Sequence, residues 1–269
     1  MHKGRLTFIG LGLYDEKDIS LKGLEEIKRC DKVYAEFYTA KLTGTNIKKL
    51  EEAFGKPIEI LSRVETEKGK KILDSAVNKK VVFLTAGDPM TATTHVDLRL
   101  RAIKKGIKTK VIHGSSIITA VAGILGLQNY KFGRTTTLAY PEKNYFPTSP
   151  YDIIKKNKEM GLHTLVLLDI QEDQNRYMSA NEGINLLLKM EEKHRAKIFN
   201  KNSILCVVAR AGSDDPVIIS GPISEMINKD YGPPLHSLVI PGKLHFMEIE
   251  ALQTLAQLPA QQVRKLQKL

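Results

Sequence analysis

Short unbroken apolar runs alternate along the first part of the chain with stretches whose apolar residues recur every three or four positions. Leu6 to Gly12 is a run that predicts a strand. Ser20 stands where it can cap a helix carrying Leu21, Leu24 and Ile27 on one face. Lys32 to Tyr38 and Pro57 to Leu61 predict short strands, and Lys70 to Asn78 a helix. That helix leads into Val81-Val82-Phe83-Leu84, a continuous apolar run suited to a parallel strand covered on both faces. A helix over Val96 to Lys105, ended by Gly106, and a strand over Lys110 to His113 follow. Repetition of this kind predicts an α/β layer architecture.

The second half reads differently. Ile117 to Leu125 is apolar nearly all round, which predicts a helix buried between layers. Thr135 to Ala139 predicts a strand, and Tyr140 to Pro150, with its prolines and aromatics, an ordered loop. Helices are predicted at Tyr151 to Lys158 and Phe246 to Gln257, and strands at Thr164 to Asp169, Ile204 to Ala209 and Leu235 to Ile240. Ser179-Ala180-Asn181-Glu182 has the form of a capping box opening a further helix. The change of texture near Gly114 predicts two α/β domains, residues 1–114 and 115–269. No internal repeat or low-complexity linker interrupts them.

Composition excludes several classes. Hydrophobic residues make up 42% and charged residues 26%, which suits an ordered globular chain and argues against disorder. No apolar run reaches bilayer-spanning length; the longest, Ile117 to Leu127, is broken by Thr119, Gly123 and Gly126. Met1-His2-Lys3-Gly4-Arg5 leads directly into the first strand, so no secretory leader is expected. Cys30 and Cys206 lack CxxC partners, so neither a disulfide framework nor a thiolate metal site is expected, and a cytoplasmic location fits. The formal charge of +11 fits either a solvated lysine-rich surface or attraction to an acidic or nucleic-acid-associated partner. The basic residues are dispersed in pairs rather than gathered in a stripe, so charge alone does not decide between them.

Six segments could carry chemistry; one of them, Ala92-Thr93-Thr94-His95, puts a lone histidine at a loop-to-helix junction, where it is more often structural than a ligand or base. Ile9-Gly10-Leu11-Gly12-Leu13 ends the first strand, where glycines let backbone approach a ligand or simply make a tight turn. A dinucleotide fingerprint needs a third glycine where Asp15 stands, and that carboxylate would repel a pyrophosphate. Thr85-Ala86-Gly87-Asp88-Pro89-Met90 follows the apolar strand, where ligands collect in open α/β sheets. Asp88 could accept hydrogen bonds from a ribose or an amine, or only cap a turn. Gly114-Ser115-Ser116 opens a helix and could meet an anion or serve as a plain cap. Ala209-Arg210-Ala211-Gly212 leaves room for a flat ring or for a neighbouring helix. His236, before the strand Leu238-Val239-Ile240, could be a ligand contact or a packed residue. The seven histidines show no HExxH or other metal spacing, and there is neither a P-loop nor a Gly-x-Ser-x-Gly elbow.

Singly these signals are weak, but their order is specific. Ile9-Gly10-Leu11-Gly12-Leu13, Gly87-Asp88-Pro89, Ala92-Thr93-Thr94-His95 and Val111-Ile112-His113 come first. Tyr130-Lys131-Phe132-Gly133, Gly161-Leu162-His163-Thr164-Leu165, Leu168-Asp169-Ile170 and Tyr177-Met178-Ser179 follow, then Ala209-Arg210-Ala211-Gly212 and Leu235-His236-Ser237-Leu238. This succession, from Leu6 to about Glu250, resembles the diphthine synthase family within the wider tetrapyrrole-methylase superfamily. The loop from Tyr140-Pro141-Glu142 to Phe146-Pro147-Thr148-Ser149 is similar to the archaeal branch.

The resemblance implies two α/β domains of the tetrapyrrole-methylase type with S-adenosylmethionine in the cleft between them, S-adenosylhomocysteine as product, and a homodimer. It implies cofactor contacts from Leu13, Asp88 and Thr91, from Ser116 and Ile117 after the fifth strand, and from Leu168, Ala211 and His236 further into the second domain. The implied substrate is a histidine of elongation factor 2 bearing a 3-amino-3-carboxypropyl group, whose amine is methylated in succession. No membrane and no direct nucleic-acid role are implied. An α-amino group of ordinary pKa near about 8 offers a usable neutral fraction, so no general base is demanded and no catalytic residue is assigned. Tyr140, Tyr145 and Phe146 are candidates to hold the trimethylammonium product against aromatic faces. Two rivals stay open: a tetrapyrrole or ribosomal RNA methylase of the same fold, and a non-catalytic RNA-binding protein.

Overall fold

A computed structural model describes residues 4–142 and 145–267; Met1 to Lys3, on which the leader reading partly rested, lie outside them. The chain divides into two compact units, Met1–Ile117 and Ile118–Leu269.

The first unit holds β1 (Arg5–Gly10), α1 (Leu21–Lys28), β2 (Lys32–Glu36), α2 (Ile47–Phe54), β3 (Ile58–Ile60), α3 (Arg63–Lys68), α4 (Lys70–Ala76), β4 (Lys80–Thr85), α5 (His95–Lys104) and β5 (Lys108–Ile112). Its five strands are parallel, in the order β3-β2-β4-β1-β5. Alternation at period two divides the buried side chains between the two faces. Ile9, Val33, Ala35, Val82, Leu84 and Ile112 pack in one cluster, and Leu6, Phe8, Tyr34, Val81 and Phe83 in the other. That is why β4 reads as an unbroken apolar run: Val82 and Leu84 serve one layer, Val81 and Phe83 the other.

The second unit comprises α6 (Ile117–Leu125), which starts at the division, then β6 (Thr136–Leu138), α7 (Ser149–Glu159), β7 (Thr164–Leu168), β8 (Ile170–Gln171), β9 (Arg176–Tyr177) and α8 (Ala180–His194). β10 (Ile204–Ala209), β11 (Val217–Pro222), α9 (Ile223–Met226), β12 (His236–Ile240), α10 (Phe246–Leu255) and α11 (Ala260–Leu266) complete it. Its main sheet, β11-β10-β12-β7-β6, is mixed: only β6 and β7 pair in parallel. β8 and β9 form a separate hairpin.

Several local expectations change. Leu21 is 81% exposed. A spacing of three residues slips the helix face by about 60° per step, so Leu21 and Ile27 cannot share a narrow buried stripe. α6 is not buried all round: Val121, Ala122 and Leu125 are buried, whereas Thr119 and Gly123 are exposed. Uniform apolarity permits burial of every face but does not supply neighbours to cover it. The capping box of α8 is present in full, with Ser179 Oγ accepting from Glu182 N–H at 3.2 Å and Glu182 accepting from Ser179 N–H at 2.8 Å. A second box, Ser62 with Glu65, opens α3, a helix too short and polar to show a period. Among the described residues no helix is long and apolar enough to cross a membrane.

Candidate functional site

The carboxyl ends of β4, β1 and β5 lie side by side, and three glycine-bearing loops leave them. Leu11 N–H donates to the Thr85 carbonyl at 2.9 Å, and Gly87 N–H donates to the Gly12 carbonyl at 2.7 Å. A Cβ on Gly10 would collide with the Gly87 carbonyl and with the backbone of Gly114. One on Gly12 would strike the Asp18 side chain. The bareness of Gly10 and Gly12 therefore lets loops pack on one another, rather than admitting a ligand. Gly87 is the exception: its φ is +71°, and no other group lies within 4 Å of where its Cβ would stand. Asp15, which argued against a dinucleotide loop, caps a short 3₁₀ turn by accepting from Lys17 N–H at 2.9 Å.

Asp88 is 8% exposed, and both its oxygens have partners. Its Oδ1 accepts from Met90 N–H at 2.9 Å and from the Thr91 hydroxyl at 3.2 Å. Its Oδ2 lies 2.7 Å from Nδ1 of His113, just beyond β5. Leu13 is held by its own N–H, which donates to Asp18 at 3.0 Å, and Tyr14 N–H donates to the same oxygen at 2.7 Å. Ser116 is buried, and Ile117 opens α6. The first-unit candidates Leu13, Asp88, Thr91, Ser116 and Ile117 thus lie on, or just beyond, these three loops, at the strand ends where α/β sheets bind ligands.

Beneath the Asp88 loop, His95 of the Ala92-Thr93-Thr94-His95 segment faces the buried Glu36, a partner that local sequence patterns do not reveal. His95 is 1% exposed and its Nδ1 lies 3.0 Å from the Pro89 carbonyl. A carbonyl only accepts, so Nδ1 carries the proton. Nε2 then faces Glu36 across 3.6 Å, too far for a hydrogen bond, and has no partner. Burial holds His95 below the usual imidazole range, against the favourable Pro89 contact. Burial likewise pushes Glu36 up, against the Thr39 hydrogen bonds. Both groups are driven toward their neutral forms.

In the second unit, Leu168 ends β7, Ala211 follows β10 and His236 begins β12. The strand registers bring all three to one end of the sheet. His236 is 7% exposed, with Nδ1 accepting from Ala180 N–H at 3.0 Å. Its Nε2–H is shared between the carbonyls of Pro233 at 3.1 Å and Gly232 at 3.2 Å. Both ring nitrogens are therefore bound within the fold, joining the start of α8 to the loop before β12. Burial keeps this ring neutral, outweighing those carbonyls. Arg210 adds to the same arrangement, with Nη1 donating to the carbonyls of Tyr231 and Pro233 at 2.8 and 2.9 Å. Of the three aromatic candidates, Tyr140 is buried with the Arg176 guanidinium 3.5 Å from its ring centre. Phe146 packs against the core, and Tyr145 is 64% exposed. Among the described residues, no group of three or more His, Cys, Asp or Glu could hold a metal ion.

Residues 5–227 match the family of Tetrapyrrole (Corrin/Porphyrin) Methylases, and the chain belongs to that family. It is 54% identical over 251 residues to a diphthine synthase of Methanococcus maripaludis strain C6, covering 93% of this chain and 98% of that protein. It is equally 54% identical over 255 residues to the diphthine synthase of Methanocaldococcus jannaschii, covering 94% and 99%. A crystal structure of diphthine synthase superposes with a TM-score of 0.88 at 40% identity, over 96% of this chain and 98% of that one. Within the methylase family, the chain belongs with the diphthine synthases.

Proposed function

We propose that this chain N-methylates the amino group of 2-(3-amino-3-carboxypropyl)-histidine on elongation factor 2 in successive rounds, forming diphthine in diphthamide biosynthesis. The observation that carries this is identity of 54% with diphthine synthases over 98–99% of their length. The methyl donor is S-adenosylmethionine, which supplies an electrophilic methyl on a sulfonium. The open face of Gly87 and the fixed, buried Asp88 fit a small polar ligand at the strand ends. Leu13, Asp88, Thr91, Ser116 and Ile117 hold it from the first unit, and Leu168, Ala211 and His236 from the second. Asp88 meets it with its remaining lone pairs; His236, whose nitrogens are occupied, meets it with its main chain or ring face. Residues 1–114 and 115–269 act as two domains. The protein works as a cytoplasmic homodimer without a membrane or nucleic-acid partner.

This chain's residues chiefly bind and align, and alignment of amine, methyl and sulfur supplies on the order of 7–11 kcal/mol at best. The test is mass spectrometry of elongation factor 2 carrying the aminocarboxypropyl-histidine, after incubation with the protein and S-adenosylmethionine. Methyl groups appearing on the primed factor and not on the unmodified one are expected. No transfer despite measurable cofactor binding would move the search to tetrapyrrole and ribosomal RNA acceptors.

A further inference from the structure

We infer that His113, oriented by Asp88, is the proton acceptor that strips the substrate amine before each methyl transfer. The inference rests on the function proposed above and deepens it.

Asp88 accepts from Met90 N–H and the Thr91 hydroxyl with one oxygen, and in the same accepting role its other oxygen takes the proton of His113 Nδ1 across 2.7 Å. In that Nδ1–H tautomer the accepting lone pair of the imidazole is on Nε2. The carboxylate cannot turn away, because Met90 N–H and the Thr91 hydroxyl fix its other oxygen. Asp88 is nearly buried, whereas the His113 side chain is 73% exposed. A carboxylate held rigidly behind an accessible imidazole is the arrangement that sets tautomer and aim in a general base. The other two histidines described near the candidate residues cannot serve. His95 is buried with Nδ1 on Pro89, and His236 has both nitrogens bonded. His113 also follows β5 directly, so backbone pairing to β1 places it at the loops proposed to hold the cofactor.

Successive methylation makes a proton acceptor useful beyond the first round. The amine enters each round as an ammonium. Its proton passes to Nε2 of His113, and the freed lone pair forms the new nitrogen–carbon bond. The carbon–sulfur bond breaks, and its electron pair stays on sulfur. His113, being exposed, then releases the proton to water. Each round adds one methyl and releases one proton. After the third the nitrogen carries no proton, and N-methylation stops.

The experiment compares the full-length wild-type chain with His113→Ala, using the primed elongation factor. The expected result is transfer slowed on the order of a hundred- to ten-thousand-fold, partly restored by added imidazole, with S-adenosylhomocysteine binding unchanged by calorimetry. Nitrogen-edited NMR of the free wild-type protein should show neutral His113 as the Nδ1–H tautomer. A variant as fast as wild type would overturn the inference. So would a slow variant that imidazole does not help, loss of S-adenosylhomocysteine binding in parallel with rate, or the Nε2–H tautomer. No transfer by the wild-type protein would overturn the proposed function and this inference together.

Discussion

A methyl group added at Gly10 has no room. It meets the Gly87 carbonyl and the Gly114 backbone, neither of which can swing aside as a side-chain tip would. Gly10→Ala should therefore cost about 1–3 kcal/mol or more through overpacking. Gly87→Ala meets no neighbour but must hold φ at +71°, which costs about 1–2 kcal/mol for a residue with a Cβ. The two variants separate in denaturant melts with and without S-adenosylhomocysteine. Gly10→Ala should lose stability in both, whereas Gly87→Ala should also lose the increment that ligand adds, because its new methyl points into open space. Equal ligand-dependent stabilisation of Gly87→Ala and wild type would remove Gly87 from the binding surface. The two glycines look alike in sequence; only the atoms opposite them distinguish a packing role from an open one.

Helix starts show how far an element is set by its own residues. α8 opens with reciprocal Ser179 and Glu182 bonds, and Glu182 also takes the Tyr140 hydroxyl at 3.3 Å. Ser179→Ala should cost about 1 kcal/mol, as loss of a serine cap usually does. Glu182→Ala should cost more, since it frees Tyr140 as well as the cap. Urea unfolding of both variants checks the order, and the reverse order would show that the Tyr140 contact contributes nothing. The box at α8 is legible because its four residues are contiguous and local. β11 is not, because Val217-Ile218-Ile219 looks like any exposed-to-buried transition until β10 pairs with it.

The molecule as a whole should be acid-sensitive. Burial holds His95, His163 and His236 below 6.5, so each takes up a proton on unfolding that it refuses when folded. A depressed folded value means stability present at higher pH and lost as pH falls through and below 6.5. Glu248 extends the loss. Burial would raise its carboxyl, but the His245 and Gln128 amides, the Lys131 ammonium and the His163 ring together hold it at about 2. Its contribution is complete above 4.5 and disappears as pH falls toward 2. Glu36, pushed up by burial, runs the other way, but it is one group against four. The formal charge of +11 rises further as acids protonate, adding repulsion. Denaturation midpoints should fall steadily from about pH 7 to about pH 4; a flat profile would show that the buried histidines can charge in place. Glu248→Gln should flatten the lower part of that profile and also destabilise at neutral pH.

Local pattern along the chain determined the α/β layering, most strand positions and the caps at Ser20 and Ser179, because those depend on residues within a turn or a pleat of each other. Motif order determined the family, because a run of weak signals in one succession is far rarer than any of them alone. The tertiary structure alone decided which glycines are packed and which is open, that the nitrogens of His236 are committed to the fold, and that His113 stands on Asp88. Those facts depend on groups far apart in sequence, such as positions 88 and 113, meeting within hydrogen-bond reach. Local pattern carries no information about that distance; strand order does, since β4 and β5 flank β1 and bring their loops to one edge.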